Sequence, residues 1–170
     1  MLRWLTPALA LLVVLVAASA PADAAPAHAA SARATLIPRA TFARKADAIC
    51  TTENARRAKG PQLTSFTPAT ATRTQVMKAG KVLAYEYPIG VDEIARISAL
   101  GQPRELPARA AWTRLHTLLL HTVFPAIRQI AASGTRGDVA TFRTQFAALS
   151  SHGTEESTYG KAIGFTVCGQ

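Results

Sequence analysis

Two cysteines, Cys50 and Cys168, stand 118 positions apart, and any fold of this chain has to answer for them. Cys50 lies in Thr41–Asn54, TFARKADAICTTEN, and Cys168 in the closing run Gly164-Phe165-Thr166-Val167-Cys168-Gly169. One pair of cysteines has one intramolecular connectivity, and in an oxidising compartment it is expected to close as a disulfide. A metal pair and a redox pair are the alternatives. Neither cysteine has the local C-x-x-C spacing that such sites usually show, so structural pairing is the expectation. Closing a loop of that length would stabilise the fold by about 4.9 kcal/mol in the chain-entropy treatment, an upper figure.

The compartment is read from the N-terminus. Arg3 is followed by the apolar run Leu5–Ala18, which is short and rich in small residues for a membrane span. Ala22-Asp23-Ala24 before Ala25 suits cleavage better than Ala18-Ser19-Ala20, which Pro21 spoils. The reading is a signal peptide over residues 1–24, cleaved near Ala24, and a secreted or extracytoplasmic protein with no transmembrane anchor after processing. A retained anchor is the alternative. Cleavage would leave 146 residues, one domain's worth, able to bury roughly 68% of its unfolded surface.

Residues 1–24 carry one cation and one anion, Arg3 and Asp23, so the net charge stays at +9 without them. A basic exported protein is drawn to anionic envelope surfaces. Arginine outnumbers lysine 14 to 5, no five like charges run together, and no specific nucleic-acid site is indicated.

Residues 25–40 read as a flexible leader and residues 41–170 as a helical bundle. Thr41 suits the N-cap of a first helix, with Phe42, Ala46, Ile49, Cys50 and Glu53 on one stripe and Gly60-Pro61 ending it. A connector with Leu63 and Phe66 leads to a second helix from Thr72. Its stripe of Val76, Gly80, Leu83, Tyr87, Gly90 or Val91, Ile94 and Ser98 keeps its spacing through Pro88, which predicts one long helix bent at the proline. Gly101-Gln102-Pro103 turns the chain, and a third helix starts near Glu105 with Trp112, Leu115, Leu119, Ala126 and Ile130 on its face and Pro125 inside it. Asp138 caps a fourth helix, whose stripe runs through Val139, Phe142, Phe146, Leu149, Gly153, Glu156, Gly160 and Ile163. Gly164 is placed to end it in a left-handed turn. No segment alternates with period two. The fold class is all-α, an up-down-up-down four-helix bundle with kinked helices, closed by one disulfide.

Phe42, Ala46-Asp47-Ala48-Ile49-Cys50, Gly160, Ile163-Gly164-Phe165 and Cys168-Gly169 together form a pattern. It resembles the small exported or lipid-anchored helical proteins of actinobacteria that pair an "F…ADAIC" first helix with a "G…C" ending. Leu100-Gly101-Gln102-Pro103 and Gly137-Asp138 are similar too, so the likeness covers about residues 41–169. Such families are largely without assigned activity, so the resemblance implies fold and export. The lipidation cysteine of the anchored members is missing here.

Little points to chemistry. His116 and His121 are five residues apart, about 140° between helix faces, which does not suit chelation of one ion. Asp92-Glu93 and Glu155-Glu156 read as helix-surface charges, and no phosphate-binding loop, G-x-S-x-G or H-E-x-x-H occurs. No cofactor is expected. A candidate ligand pocket groups Tyr85 and Tyr87 beside Pro88 with Trp112 and His116, although these rings would also serve as ordinary core. The leading expectation is a non-catalytic envelope protein that binds a partner, an envelope protein or an anionic surface. The rivals are a small-molecule or metal carrier using the bundle interior, and an enzyme whose site is assembled from scattered residues.

Overall fold

A computed structural model describes residues 35–63 and 66–168. The proposed signal peptide and residues 25–34 of the leader lie outside them. The described chain is almost entirely helical, in the order β1 (Leu36–Ile37), α1 (Arg39–Arg57), a 3₁₀ turn (Pro68–Thr70), α2 (Arg73–Ser98), β2 (Gln102–Pro103), α3 (Leu106–Leu118), a π-helical stretch (Leu119–Val123), α4 (Phe124–Arg136), α5 (Val139–Ser150) and α6 (Gly153–Ile163). Cys50 and Cys168 are bonded, with Cα atoms 5.3 Å apart, inside the range a disulfide requires. The helical bundle with one disulfide is therefore as expected.

Local chemistry sets several helix ends where the sequence places them. Thr72 and Gln75 form a capping box, each side chain accepting the other residue's backbone N–H. The Asp138 carboxylate accepts the Thr141 N–H at 3.1 Å. Gly164 adopts φ +96°, and the Phe165 N–H returns to the Gly160 carbonyl at 3.0 Å, so the last helix ends as predicted. α2 runs unbroken through Pro88, again as the spacing of its stripe requires.

Four expectations are corrected. Helix α1 begins at Arg39, two residues before Thr41, and its N-cap Pro38 offers no side chain; Glu105 takes that role by accepting the Arg39 N–H at 2.8 Å. Residues 35–37 belong to the fold rather than the leader, since Gln102 and Arg104 donate to the Thr35 and Ile37 carbonyls at 2.8 and 2.7 Å. This two-residue parallel pairing depends on Gly101 at φ +101°, where a Cβ would lie 2.2 Å from the Thr35 oxygen. The third helix passes through a π turn in which the Phe124 N–H bonds the Leu119 carbonyl; Pro125 just beyond has no N–H for the usual partner. The fourth helix breaks at Ser151-His152 into α5 and α6, just before Gly153, a residue of low helix propensity.

Two apolar clusters result. One gathers Phe42, Ala46 and Cys50 from α1, Ile94 and Ile97 from α2, Ala111, Trp112 and Leu115 from α3, Phe124 and Ile163. The other gathers Ala71, Val76 and Ala79 with Ile130 and Phe142. Leu63 and Phe66 close this second cluster, Phe66 meeting Phe142 and Phe146 edge-on at 5.9 and 6.0 Å. Beside this second cluster α2 crosses α4 at Gly80 and Gly134, so near that a Cβ on Gly80 would lie 2.3 Å from the Thr135 nitrogen. α6 packs chiefly on α3, and what lies along α1 is the tail after Gly164. Among the described residues no helix is long and apolar enough to cross a membrane.

Candidate functional site

The C-terminal tail is held to α1 twice over. Besides the disulfide, the Asp47 carboxylate accepts the backbone N–H groups of Thr166, Val167 and Cys168 at 3.0–3.2 Å and the Thr166 hydroxyl at 2.7 Å. Burial pushes the Asp47 pKa upward, but these four donors outweigh it and hold the carboxyl below its usual value. Asp47 and Cys50 are three apart on α1, so one helix face presents both clamps. Arg39 adds a third tie, its Nε donating to the Ile163 carbonyl at 3.0 Å.

The folded-back tail roofs a cavity of about 330 Å³. Its walls are mostly apolar: Ile94 and Ile97 from α2, Leu115 from α3, Leu119 and Val123 from the π stretch, Phe124 and Ile127 from α4, and Phe165 and Val167 from the tail. The disulfide itself is part of the wall. Gly90 and Gly160 line it as well, and at Gly160 a Cβ would find only Phe165 Cδ2, 3.8 Å away.

Asn54, Arg57, Glu93 and Glu156 supply the polar lining. Arg57 is paired: Nη2 meets Glu93 Oε2 at 2.7 Å and Nη1 meets Asn54 Oδ1 at 2.8 Å. The other Glu93 oxygen lies 3.3 Å from Cys50 Sγ. This is a contact rather than a hydrogen bond, because a disulfide sulfur has no proton to donate. Glu156 differs. Its neighbour Glu155 takes His152 at 3.6 Å and the Tyr159 hydroxyl at 3.2 Å, whereas among the described residues no hydrogen bond or ion pair reaches the Glu156 carboxylate. Burial raises its pKa, opposed only by His152.

The four residues grouped from sequence do not line this cavity. Tyr85 lies over Gly60 and donates to the Arg56 carbonyl at 3.1 Å. Tyr87 packs edge-on against Phe124 at 6.2 Å. Trp112 and His116 do meet, ring centroids 5.5 Å apart, and Trp112 also packs on Phe42 at 5.2 Å. Burial, with the nearby His121, lowers the His116 pKa. Tyr87 packs against the cluster that holds Trp112, so these rings serve as core. Among the described residues no three His, Cys, Asp or Glu side chains stand together as metal ligands.

Sequence reasoning passed over Glu93 and Glu156 as surface charges; both are half-buried, and both line the cavity. A signal was present, since Glu156 interrupts an apolar stripe. Glu53 interrupts another, but there the buried carboxylate is met by Arg96 from α2 and by Arg56 at 3.4 Å. A carboxylate on an apolar stripe thus marks either an ion pair across helices or a polar group turned into a cavity.

Fold and site together define an all-α bundle, clamped by a disulfide at its C-terminal tail, with a partly polar cavity beneath the clamp. No known protein family, curated protein or solved structure matches the chain.

Proposed function

We propose that this chain is an exported, non-catalytic helical bundle of the cell envelope that works by binding, and that what it binds is a small molecule held in the cavity under the C-terminal tail. The cavity carries the reading. At about 330 Å³, apolar on most sides and with a few placed polar groups, it matches the lower end of small-molecule sites. Its position draws support from the tail, which is fixed by the disulfide and by Asp47 and so keeps a preformed wall. The ionisable groups around it are one engaged Arg57–Glu93 pair and Glu156, with both sulfurs oxidised, which offers no activated nucleophile. Export rests on the signal-peptide reading of residues 1–24, and a disulfide that closes most of the chain agrees with an oxidising, extracytoplasmic compartment.

Native mass spectrometry of protein recovered outside the producing cells tests this in one measurement. The expected species begins near Ala25, has the mass of the disulfide form and carries a small molecule that leaves on denaturation. A chain that begins at Met1 and stays with the membrane would refute export. Protein that is always unliganded, and that no small-molecule panel stabilises, would refute the binding reading. The net charge of +9 favours a second, weaker activity, adsorption to anionic envelope surfaces.

A further inference from the structure

We infer that the cavity selects a small, largely apolar molecule bearing one cationic amine, with Glu156 as its counter-ion. The inference rests on the binding reading above and adds the chemical class of the ligand. Three charged side chains reach the cavity, and two of them satisfy each other: Arg57 and Glu93 are 2.7 Å apart, and Asn54 occupies another Arg57 nitrogen. The Arg57 charge is therefore already balanced by Glu93. Glu156 is left with no protein partner on its carboxylate and gives the lining a net charge of −1, against +9 for the whole chain.

The ligand classes then separate on electrostatics. A carboxylate or phosphate would meet an uncompensated anion. A neutral molecule would leave Glu156 half-buried without a partner. An ammonium supplies up to three donors and the opposite charge, while its hydrocarbon body takes the apolar walls. Glu155 and Glu156 both stand in the first turn of α6, where a negative charge is favoured, and of the two only Glu156 lines the cavity. The groups facing Glu156 are His152 from the start of α6 and the Arg57–Glu93 pair across the cavity. His152 meets Glu155 and Arg57 meets Glu93, so among the described residues neither is paired with Glu156.

The test is calorimetric titration of the purified, disulfide-bonded protein at pH 7.5 with octylammonium, 1-octanol and octanoate, three probes of one chain length. Octylammonium is expected to bind about tenfold tighter than octanol, as one charge-assisted hydrogen-bonded pair implies, with octanoate weakest. Methyl NMR shifts at Ile94, Ile97 and Leu115 should locate the probe. Glu156→Gln, which keeps the shape of the side chain, should remove the amine preference and bring the octylammonium and octanol affinities within about twofold of each other. An amine preference that survives this change, an octanoate affinity equal to the amine's, or shifts away from the three methyl groups overturns the inference while a binding bundle stands. If none of the three probes binds, the cavity reading fails with it.

Discussion

Two alanine substitutions for glycine, alike in chemistry, should move stability in opposite directions. Gly160 lies in α6 with ordinary helical geometry, and its added Cβ would make one contact, 3.8 Å from Phe165 Cδ2. Gly160→Ala therefore gains helix propensity without strain, about 0.5–1 kcal/mol. In a domain of this size that raises Tm by about 3 °C. Gly80 gains the same propensity, but its Cβ would lie 2.3 Å from the Thr135 nitrogen, 2.5 Å from the Gly134 carbonyl carbon and 2.8 Å from the Gly134 Cα. These are backbone atoms of the facing helix and cannot rotate aside. Restoring ordinary contact needs α2 and α4 to part by about 1 Å, which loosens Val76, Ala79, Ile130 and Phe142, all buried at that crossing. Overpacking of this kind costs about 3 kcal/mol, so the net loss is about 2 kcal/mol and Tm falls by about 6 °C. Urea titration followed by circular dichroism, with the disulfide intact in both variants, measures the pair. A Gly80→Ala protein as stable as Gly160→Ala would refute the backbone contact between α2 and α4, and with it the packing of the second cluster.

Other outcomes follow from the clamp and the charges. Reduction of the disulfide, or Cys168→Ala, should lower stability by about 2–5 kcal/mol, read from urea midpoints; natively exported protein that titrates two free thiols would remove the bridge altogether. Asp47 has a lowered pKa in the fold, so its contribution is present above the ordinary carboxylate value and is lost as pH falls through the lowered one. Asp47→Asn should cost about 1–3 kcal/mol at pH 7 and flatten the acid limb of the stability curve; an unchanged limb would show that the tail donors contribute nothing. Glu156 has the opposite sign: its raised pKa means stability present below the ordinary value and lost as pH rises through the folded one. Glu156→Gln should accordingly gain stability at pH 7 relative to pH 4, measured by the same titration. Adsorption of the protein to anionic vesicles should fade as salt rises, since screening acts over about 8 Å at physiological ionic strength, and adsorption that withstands molar salt would point to a specific site.

What the amino-acid order settled by itself is the chemistry that acts within a few residues. Thr72 and Gln75 cap α2, Asp138 caps α5 and Gly164 ends α6, because each bond involved closes over three to five positions. The 3–4 spacing through Pro88 correctly announced one helix, and two lone cysteines in a chain read as exported announced their own bond. Tertiary structure decided everything that depends on which surfaces meet. Glu105 caps α1 from 66 positions away, and Gly80 is needed only because Gly134 lies opposite. The same holds for the two carboxylates on apolar stripes. Glu53 and Glu156 interrupt their patterns alike, yet one faces two arginines and the other a cavity. Sequence spacing assigns a side chain to a helix face, and only the packing of the other helices supplies the partner or the space that face meets.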